Sequence, residues 1–145
     1  MTHELFFDDV QVGDALPELT KGPIIKLQHV LYAGASGDFN PLHTDDDFAR
    51  AAGLKEGVIT HGMLVMGFVG QAITDWVPRR CLRTFRVRFS GMTRPGDTIT
   101  VSGSVTDKRR ENGENLIFCE VVARDDHGGV KIQGSFSAAL PVKQG

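Results

Sequence analysis

The pattern of hydrophobic and polar positions changes once along the chain, at Pro78. Before this residue, from Gln28 onward, apolar positions recur at the spacing of a helix. After it, apolar and polar residues alternate, which is the spacing of a strand with one buried face. The sequence therefore predicts helices in the first half of the chain and a run of strands in the second half.

Two short helices are predicted in the first half. The first covers residues 28–35 and ends at Gly34 or Gly37, because glycine commonly terminates a helix. The second is predicted to begin with Thr44 as its N-cap and to stop at Gly53. The aspartates after Thr44 complement the positive end of the helix dipole. They are explained without a metal ion, and no metal site is expected, because oxygen-ligand sites need several convergent groups.

The third helix is predicted to be buried on every side. Thr60 is its expected N-cap and Pro78 ends it. Nearly all positions between them are apolar, and a helix that is hydrophobic all round is a buried one. Gly67 and Gly70 lower the helix propensity of this segment. Their presence is explained if another backbone packs closely against that face.

Four strands joined by short turns are predicted after the third helix, with a further short strand at residues 24–27. Asn112-Gly113 is a strong signal for a tight hairpin, and residues 126–129 turn the chain before the last strand. An antiparallel sheet wrapped around the central helix is the simplest α+β arrangement of these elements. The exposed edge of such a sheet needs cover, so we expect a dimer.

Composition excludes several classes of function. We treat residues 1–145 as one domain, since this length suffices for a substantial core. The net charge of −2 does not indicate a surface for nucleic acid or for a membrane. No apolar stretch is long enough to span a bilayer, and no signal peptide is recognised. Cys81 and Cys119 fall in separate predicted strands as small core residues, which favours reduced thiols and a cytoplasmic location.

Residues able to perform chemistry are concentrated in the loop 36–43, between the first two helices. Asp38 and His43 lie five residues apart in this loop. Asn40-Pro41 stiffens the loop, because proline fixes its own φ and restricts the preceding residue. A carboxylate and an imidazole held together can activate a water molecule and deliver a proton. The alternative is that both residues only cap and pack, but the density of conformation-fixing residues favours a functional loop.

Two further features have two interpretations that the sequence leaves open. With Thr60 as N-cap, the Gly62 amide lies in the first helical turn, where it can stabilise a developing oxyanion. Gly62 can equally serve close contact between helix and sheet. Arg86 and Arg88 suit an anionic ligand, or they form a solvated strand face. His61 receives no chemical step, because the helix dipole disfavours its positive form.

The motif Ser36-Gly-Asp-Phe-Asn-Pro-Leu-His43, followed by His61-Gly62-Met63, resembles the signature of the MaoC-like family. The members of this family are (R)-specific enoyl-thioester hydratases and dehydratases with the hot-dog fold. The resemblance extends from about Val10 through the final strand. It implies that the chain is an α+β protein in which an antiparallel sheet wraps around a central buried helix.

The same resemblance implies a role for four residues. Asp38 and His43 would bind and activate a water that attacks C3 of a trans-2-enoyl thioester. The Gly62 amide would polarise the thioester carbonyl, and Asn40 would brace the loop. The reverse reaction dehydrates an (R)-3-hydroxyacyl thioester. No metal or redox cofactor is implied, and coenzyme A or an acyl carrier protein enters as part of the substrate.

Several alternatives stay open at this point. The chain could be a homodimer, a higher oligomer or the catalytic partner in a heteromeric dehydratase that is inactive alone. A hot-dog thioesterase is a further candidate, but such enzymes typically carry their carboxylate on the central helix, where this chain has only Asp75. The acyl group could be a straight fatty chain, a branched chain or a steroid side chain.

Overall fold

The frame of the fold is an antiparallel sheet with one helix lying against its apolar face. The computed structural model describes residues 4–144. The five strands lie in the order β1-β3-β4-β5-β2. The helices are α1 (Lys26–Ser36), α2 (Asp46–Ala51) and α3 (Gly62–Trp76), and the strands are β1 (Leu19–Lys21), β2 (Leu82–Phe89), β3 (Ile99–Glu111), β4 (Glu114–Arg124) and β5 (Val130–Ala139).

The strands after α3 follow the predicted alternation. β3 and β4 form a long hairpin whose two-residue turn is Asn112-Gly113, with φ values of 51° and 77°. Positive φ at both central residues is the geometry that matches the twist of a tight hairpin. The predicted hairpin and the predicted antiparallel sheet are therefore confirmed.

Helix α3 supplies the centre of the core with one of its faces. Val65, Val69 and Ile73 are at most 2% exposed and pack with the inner residues of the sheet. The prediction that α3 is buried on every side is wrong for the chain alone, because Met63 is 56% exposed. The sheet covers only one side of the helix. Apart from the neighbouring backbone of α3 itself, no atom of the described residues lies within 4 Å of a Cβ built on Gly67, so the predicted close backbone contact is not made by them.

The apolar run at residues 24–27 is not a strand. Strand β1 lies earlier, at Leu19–Lys21, and pairs with β3, whereas α1 already begins at Lys26. A four-residue apolar run cannot be distinguished from the start of a helix by periodicity, which accounts for the error. The predicted end of this helix is confirmed, because Gly37 is its C-cap in the left-handed conformation with φ of 76°.

The N-cap of α2 lies one residue later than predicted. Asp45, and not Thr44, is the capping residue, and its Oδ1 accepts hydrogen bonds from the amides of Asp47 and Phe48 at 2.9 and 3.1 Å. Both residue types are good caps, so composition alone does not choose between neighbours. Asp45 thus caps the helix, whereas Asp46 pairs with Lys26 and accepts a hydrogen bond from the Val58 amide at 3.0 Å.

Both cysteines are core residues, as predicted. Cys81 and Cys119 are free thiols and are 6% and 1% exposed. Burial raises the pKa of the Cys119 thiol to about 12, so it stays protonated and unreactive. Among residues 4–144, no helix has the length and apolar character needed to cross a membrane.

Candidate active site

The loop after α1 is shaped by its own side chains. Ser36 Oγ accepts a hydrogen bond from the Asp38 amide at 3.1 Å, and Asp38 Oδ1 accepts one from the Asn40 amide at 3.2 Å. Asn40 Oδ1 then accepts from the Leu42 amide at 3.1 Å and caps the short 3₁₀ turn Pro41–His43. Such local side-chain bonds fold a turn without help from the rest of the chain.

This turn brings Asp38 and His43 together. His43 Nε2 lies 3.7 Å from Asp38 Oδ2, and the side chains are 12% and 51% exposed. His43 Nδ1 lies 2.8 Å from the carbonyl oxygen of Ile59. A carbonyl only accepts, so in the neutral ring the Nδ1 carries the proton and Nε2 keeps its lone pair. One water molecule can donate a hydrogen bond to each of these two acceptors.

His61 contacts both members of this pair. Its ring stacks on His43 with centroids 3.8 Å apart and planes 26° apart. Its Nε2 donates a hydrogen bond to the backbone carbonyl of Asp38 at 3.1 Å, and the residue is 1% exposed. Burial lowers the pKa of His61, so the ring is neutral. The buried Nδ1 has no partner among the described residues.

His29 joins the same cluster from α1. This residue is fully buried, its Nδ1 donates to the carbonyl of His43 at 2.9 Å, and its Nε2 accepts from the hydroxyl of Thr60 at 2.8 Å. Burial is the main cause that lowers the pKa of His29. We refer to His29, His43, Thr60 and His61 as the histidine junction. Sequence reasoning missed His29, since a lone histidine in an amphipathic helix carries no signal.

The start of α3 differs from its prediction by one residue. His61 is the N-cap of the helix, and it makes no side-chain capping bond. Thr60 does not cap, because its hydroxyl is engaged with His29. Gly62 is consequently the first helical residue, and its amide still lies in the turn where N–H groups have no intrahelical acceptor.

Gly62 faces a cavity that His43 also lines. The cavity has a volume of about 160 Å³, and its walls include the apolar side chains of Val65, Phe89 and Ile132. A Cβ at position 62 would lie 3.1 Å from Cε1 of Phe89. The structure thus fits both interpretations of Gly62, since glycine admits the aromatic ring and leaves the amide open to a carbonyl oxygen.

Two other predicted candidates lie elsewhere. Arg88 lines a separate groove of about 730 Å³ on the polar face of the sheet, together with Arg124. Neither Arg86 nor Arg88 lines the cavity shared by His43 and Gly62. Both arginines are exposed on β2, as expected for a solvated strand face.

Among the described residues, one group of side chains has a spacing that could hold a metal ion. It consists of Asp38, His43 and His61. Their ligand atoms lie within 4.8 Å of one another. The two rings are stacked, however, so their lone pairs lie in two separate and nearly parallel planes, which is unfavourable for convergence on one ion. Tetrahedral or octahedral ligation needs convergent lone pairs. This arrangement favours a water-binding pair with a supporting ring.

The sequence of this chain is similar to one family model and to several curated proteins. The family model described as "MaoC like domain" matches residues 10–125. The (R)-specific enoyl-CoA hydratase of Rhodospirillum rubrum is 32% identical over 103 residues, which cover 70% of this chain and 69% of that protein. The fatty acid synthase beta subunit aflB of Emericella nidulans is 37% identical over 117 residues, 78% of this chain but 5% of that protein.

Solved structures show the same similarity in three dimensions. The R-hydratase PhaJ1 of Pseudomonas aeruginosa superposes with a TM-score of 0.83 at 25% identity, covering 97% of this chain and 88% of that one. The ChsH1–ChsH2 complex of Mycobacterium tuberculosis matches with a TM-score of 0.76 at 28% identity, covering 90% of this chain and 98% of that one.

The lengths of the relatives differ widely. This chain spans 5%, 4% and 38% of the first three curated relatives that it matches. The matched region nevertheless includes the whole of the loop 36–43 and the start of α3. The predicted hot-dog fold is confirmed, and the chain belongs to the MaoC-like dehydratase family.

Proposed function

We propose that this chain catalyses the (R)-specific addition of water to trans-2-enoyl thioesters and the reverse dehydration of (R)-3-hydroxyacyl thioesters. The observation that carries the proposal is the pair His43 Nε2 and Asp38 Oδ2, 3.7 Å apart, next to a cavity that His43 and Gly62 line. The R. rubrum relative named as an (R)-specific enoyl-CoA hydratase supports the same chemistry.

The proposed reaction adds both parts of one water molecule. Asp38 and His43 hold the water, and the neutral Nε2 of His43 takes one of its protons while the oxygen bonds to C3. Electrons move toward the thioester oxygen, where the Gly62 amide donates a hydrogen bond. The imidazolium of His43 then delivers this proton to C2 from the same face. The carboxylate of Asp38 stabilises the imidazolium that forms between these two proton transfers.

The substrate carries the only accessory group that this reaction needs. We propose no metal or redox cofactor, and coenzyme A or an acyl carrier protein is part of the thioester. The apolar walls formed by Val65, Phe89 and Ile132 suit the acyl portion of such a substrate. Both cysteines are free and buried, which suits a reducing compartment such as the cytoplasm.

A second chain is part of the proposal. β2 is an edge strand of the sheet, and the neighbouring face of α3 exposes Met63. Exposed edges and apolar faces are commonly covered by a partner. A homodimer or higher homo-oligomer is the first candidate. A heteromer in which this chain is the catalytic subunit is the second, and the two-chain ChsH1–ChsH2 structure is its precedent.

The thioesterase alternative has less support. Asp75, the one carboxylate on α3, is exposed near the end of the helix, in a different pocket from His43 and Gly62. It is therefore not placed to activate a water at the cavity. Release of free thiol from an acyl thioester would identify that activity directly.

The test is a hydration assay on the purified chain alone. The absorbance of the enoyl-thioester bond is followed with crotonyl-CoA and with a longer trans-2-enoyl-CoA, and the product is resolved by chirality. We expect loss of the absorbance and formation of the (R)-3-hydroxyacyl product. Thiol release without hydration would contradict the proposal, whereas activity only after addition of a partner chain would select the heteromeric form.

A further inference from the structure

The side chain of His29 bonds to two parts of the site that lie apart in sequence, at His43 and at Thr60. Its Nδ1 bonds the backbone carbonyl of His43, which ends the loop that carries the water-binding pair. Its Nε2 bonds the hydroxyl of Thr60, which directly precedes the N-cap of α3. The rigid His29 imidazole thus connects the proposed base, His43, to the start of α3, where the Gly62 amide is the proposed oxyanion donor.

The protonation of this ring is fixed by its partners. The carbonyl of His43 can only accept, so Nδ1 of His29 carries the proton and Nε2 receives the hydroxyl hydrogen of Thr60. Both nitrogens are then satisfied in a residue with no exposed surface. The bonds are consistent with a neutral ring, and a buried polar group is costly unless it is bonded in this way. An apolar residue would fill the same space but would make neither bond.

Thr60 is itself held on its other side. Its amide donates to the carbonyl of Thr93 at 2.7 Å, and both threonines line the cavity. The start of α3 is therefore tied to the loop before β3 through the backbone. It is tied to the loop 36–43 both through His29 and through Ile59, whose amide donates to the carbonyl of Leu42 at 3.1 Å. Together with the bond between the His43 ring and the Ile59 carbonyl, these contacts hold the His43 ring and the start of α3 in one arrangement.

We propose that His29 and Thr60 form a positioning link that sets the separation between the water-activating pair and the oxyanion donor. The inference rests on the proposed function, since it assigns these residues a part in the same reaction. Neither residue touches the reacting atoms in this account. The link acts by holding C3 and the thioester oxygen of one substrate in reach of both ends of the site. Misplacement by about 1 Å can reduce turnover by about 100-fold.

A double-mutant cycle tests the link. His29→Asn keeps an amide donor near the position of Nδ1 but loses the bond to Thr60, and Thr60→Val keeps the shape of threonine but loses the hydroxyl. We expect each change to lower kcat about 10- to 100-fold with a smaller change in KM. The double variant should lose no more than the worse single variant, because each change breaks the same link. Losses that multiply would overturn the proposal.

Two comparisons separate positioning from stability. Thr60→Ser restores the hydroxyl and should recover most of the turnover that Thr60→Val loses. Ser137→Ala removes the bond between Ser137 and the Thr84 hydroxyl, 2.6 Å long and located in the sheet away from the cavity. This control should lower the melting temperature without a comparable loss of kcat. If Thr60→Val likewise lowers only the melting temperature, His29 is a structural residue and the proposal fails.

A measurement that does not depend on turnover separates failure of the positioning link from failure of the proposed function. In ¹⁵N NMR spectra, His29 should be the Nδ1–H tautomer, and the signals of the His43 ring and the Gly62 amide should move in Thr60→Val but not in Thr60→Ser. If the wild-type chain hydrates no enoyl thioester, the proposed function fails while these spectra still decide whether the link exists. An Nε2–H tautomer at His29, or unmoved signals in Thr60→Val, would refute the link.

Discussion

Two buried regions of the molecule are built on different principles. The core between α3 and the sheet is apolar, and residues such as Ile73, Ile99 and Phe136 share the burial among many contacts. The histidine junction is equally buried at His29 and His61 but depends on a few hydrogen bonds and one ring stack. A substitution in the core is therefore expected to lower stability in proportion to the contacts that it removes. In the histidine junction, the loss of one hydrogen-bonding atom is expected to lower turnover.

The proposed water-activating pair, Asp38 and His43, should give the largest effect on turnover. We expect Asp38→Ala and His43→Ala each to lower kcat by roughly two or more orders of magnitude with the fold retained, as for general acid–base residues. Steady-state kinetics and circular dichroism measure the two quantities. Asp47→Asn, at a side chain that is 97% exposed, and His127→Gln, at an exposed turn, are matched controls. Unchanged turnover in either alanine variant would remove the mechanism.

The core should respond in stability and not in chemistry. Ile73→Ala removes a side chain with no exposed surface from the centre of α3, and we expect a loss of about 2–5 kcal/mol in the free energy of unfolding. Chemical denaturation measures this loss. At a temperature where the variant is folded, kcat should stay within a few-fold of the wild type. A loss of kcat as large as that of His43→Ala would erase the distinction between the two regions.

Gly62 lies where the two regions meet, and its two interpretations can be separated. In Gly62→Ala the new methyl group would lie 3.1 Å from the Phe89 ring, so we expect kcat to fall by about tenfold if access of the carbonyl to the amide matters. The double variant with Phe89→Ala removes the contact between methyl group and ring. Recovery of kcat in the double variant would assign Gly62 to packing, and persistence of the loss would assign it to access.

The smallest expected effect is a pH dependence of stability. Burial holds the pKa of both His29 and His61 below their ordinary value of 6.5. As pH falls below about 6.5, the unfolded chain takes up protons that the folded chain excludes, so the free energy of unfolding decreases with acidification until the folded rings also titrate. Above pH 6.5 this contribution is fully present. Melting temperatures between pH 5 and 8 measure it, and His61→Phe should flatten the slope.

Much of the fold and the outline of the site were predictable, because they rest on local signals. The turn at Asn112-Gly113 and the bonds within residues 36–43 are each determined by neighbours in sequence. The positions of His29 and Thr60 are 31 residues apart, and no local pattern indicates that they meet. The same contact explains the wrong N-cap, since a threonine whose hydroxyl is engaged elsewhere cannot cap.

The uncovered face of α3 shows a different limit. The apolar pattern of this helix indicates burial on all sides, yet Met63 is exposed in the chain taken alone. The sequence pattern indicates how much of a helix surface is apolar. It does not indicate whether the same chain or a second chain buries that surface. Equilibrium sedimentation of the wild type and of Gly67→Leu would show whether a close contact forms at this face.

We propose that Asp38 and His43 add water to one face of an enoyl thioester while the Gly62 amide holds the carbonyl. The most direct test is hydration of crotonyl-CoA in D₂O, with the configuration at C2 and C3 of the product determined by NMR. We expect syn addition, with deuterium and hydroxyl on the same face and the (R) configuration at C3. Anti addition, or an (S) product, would contradict it.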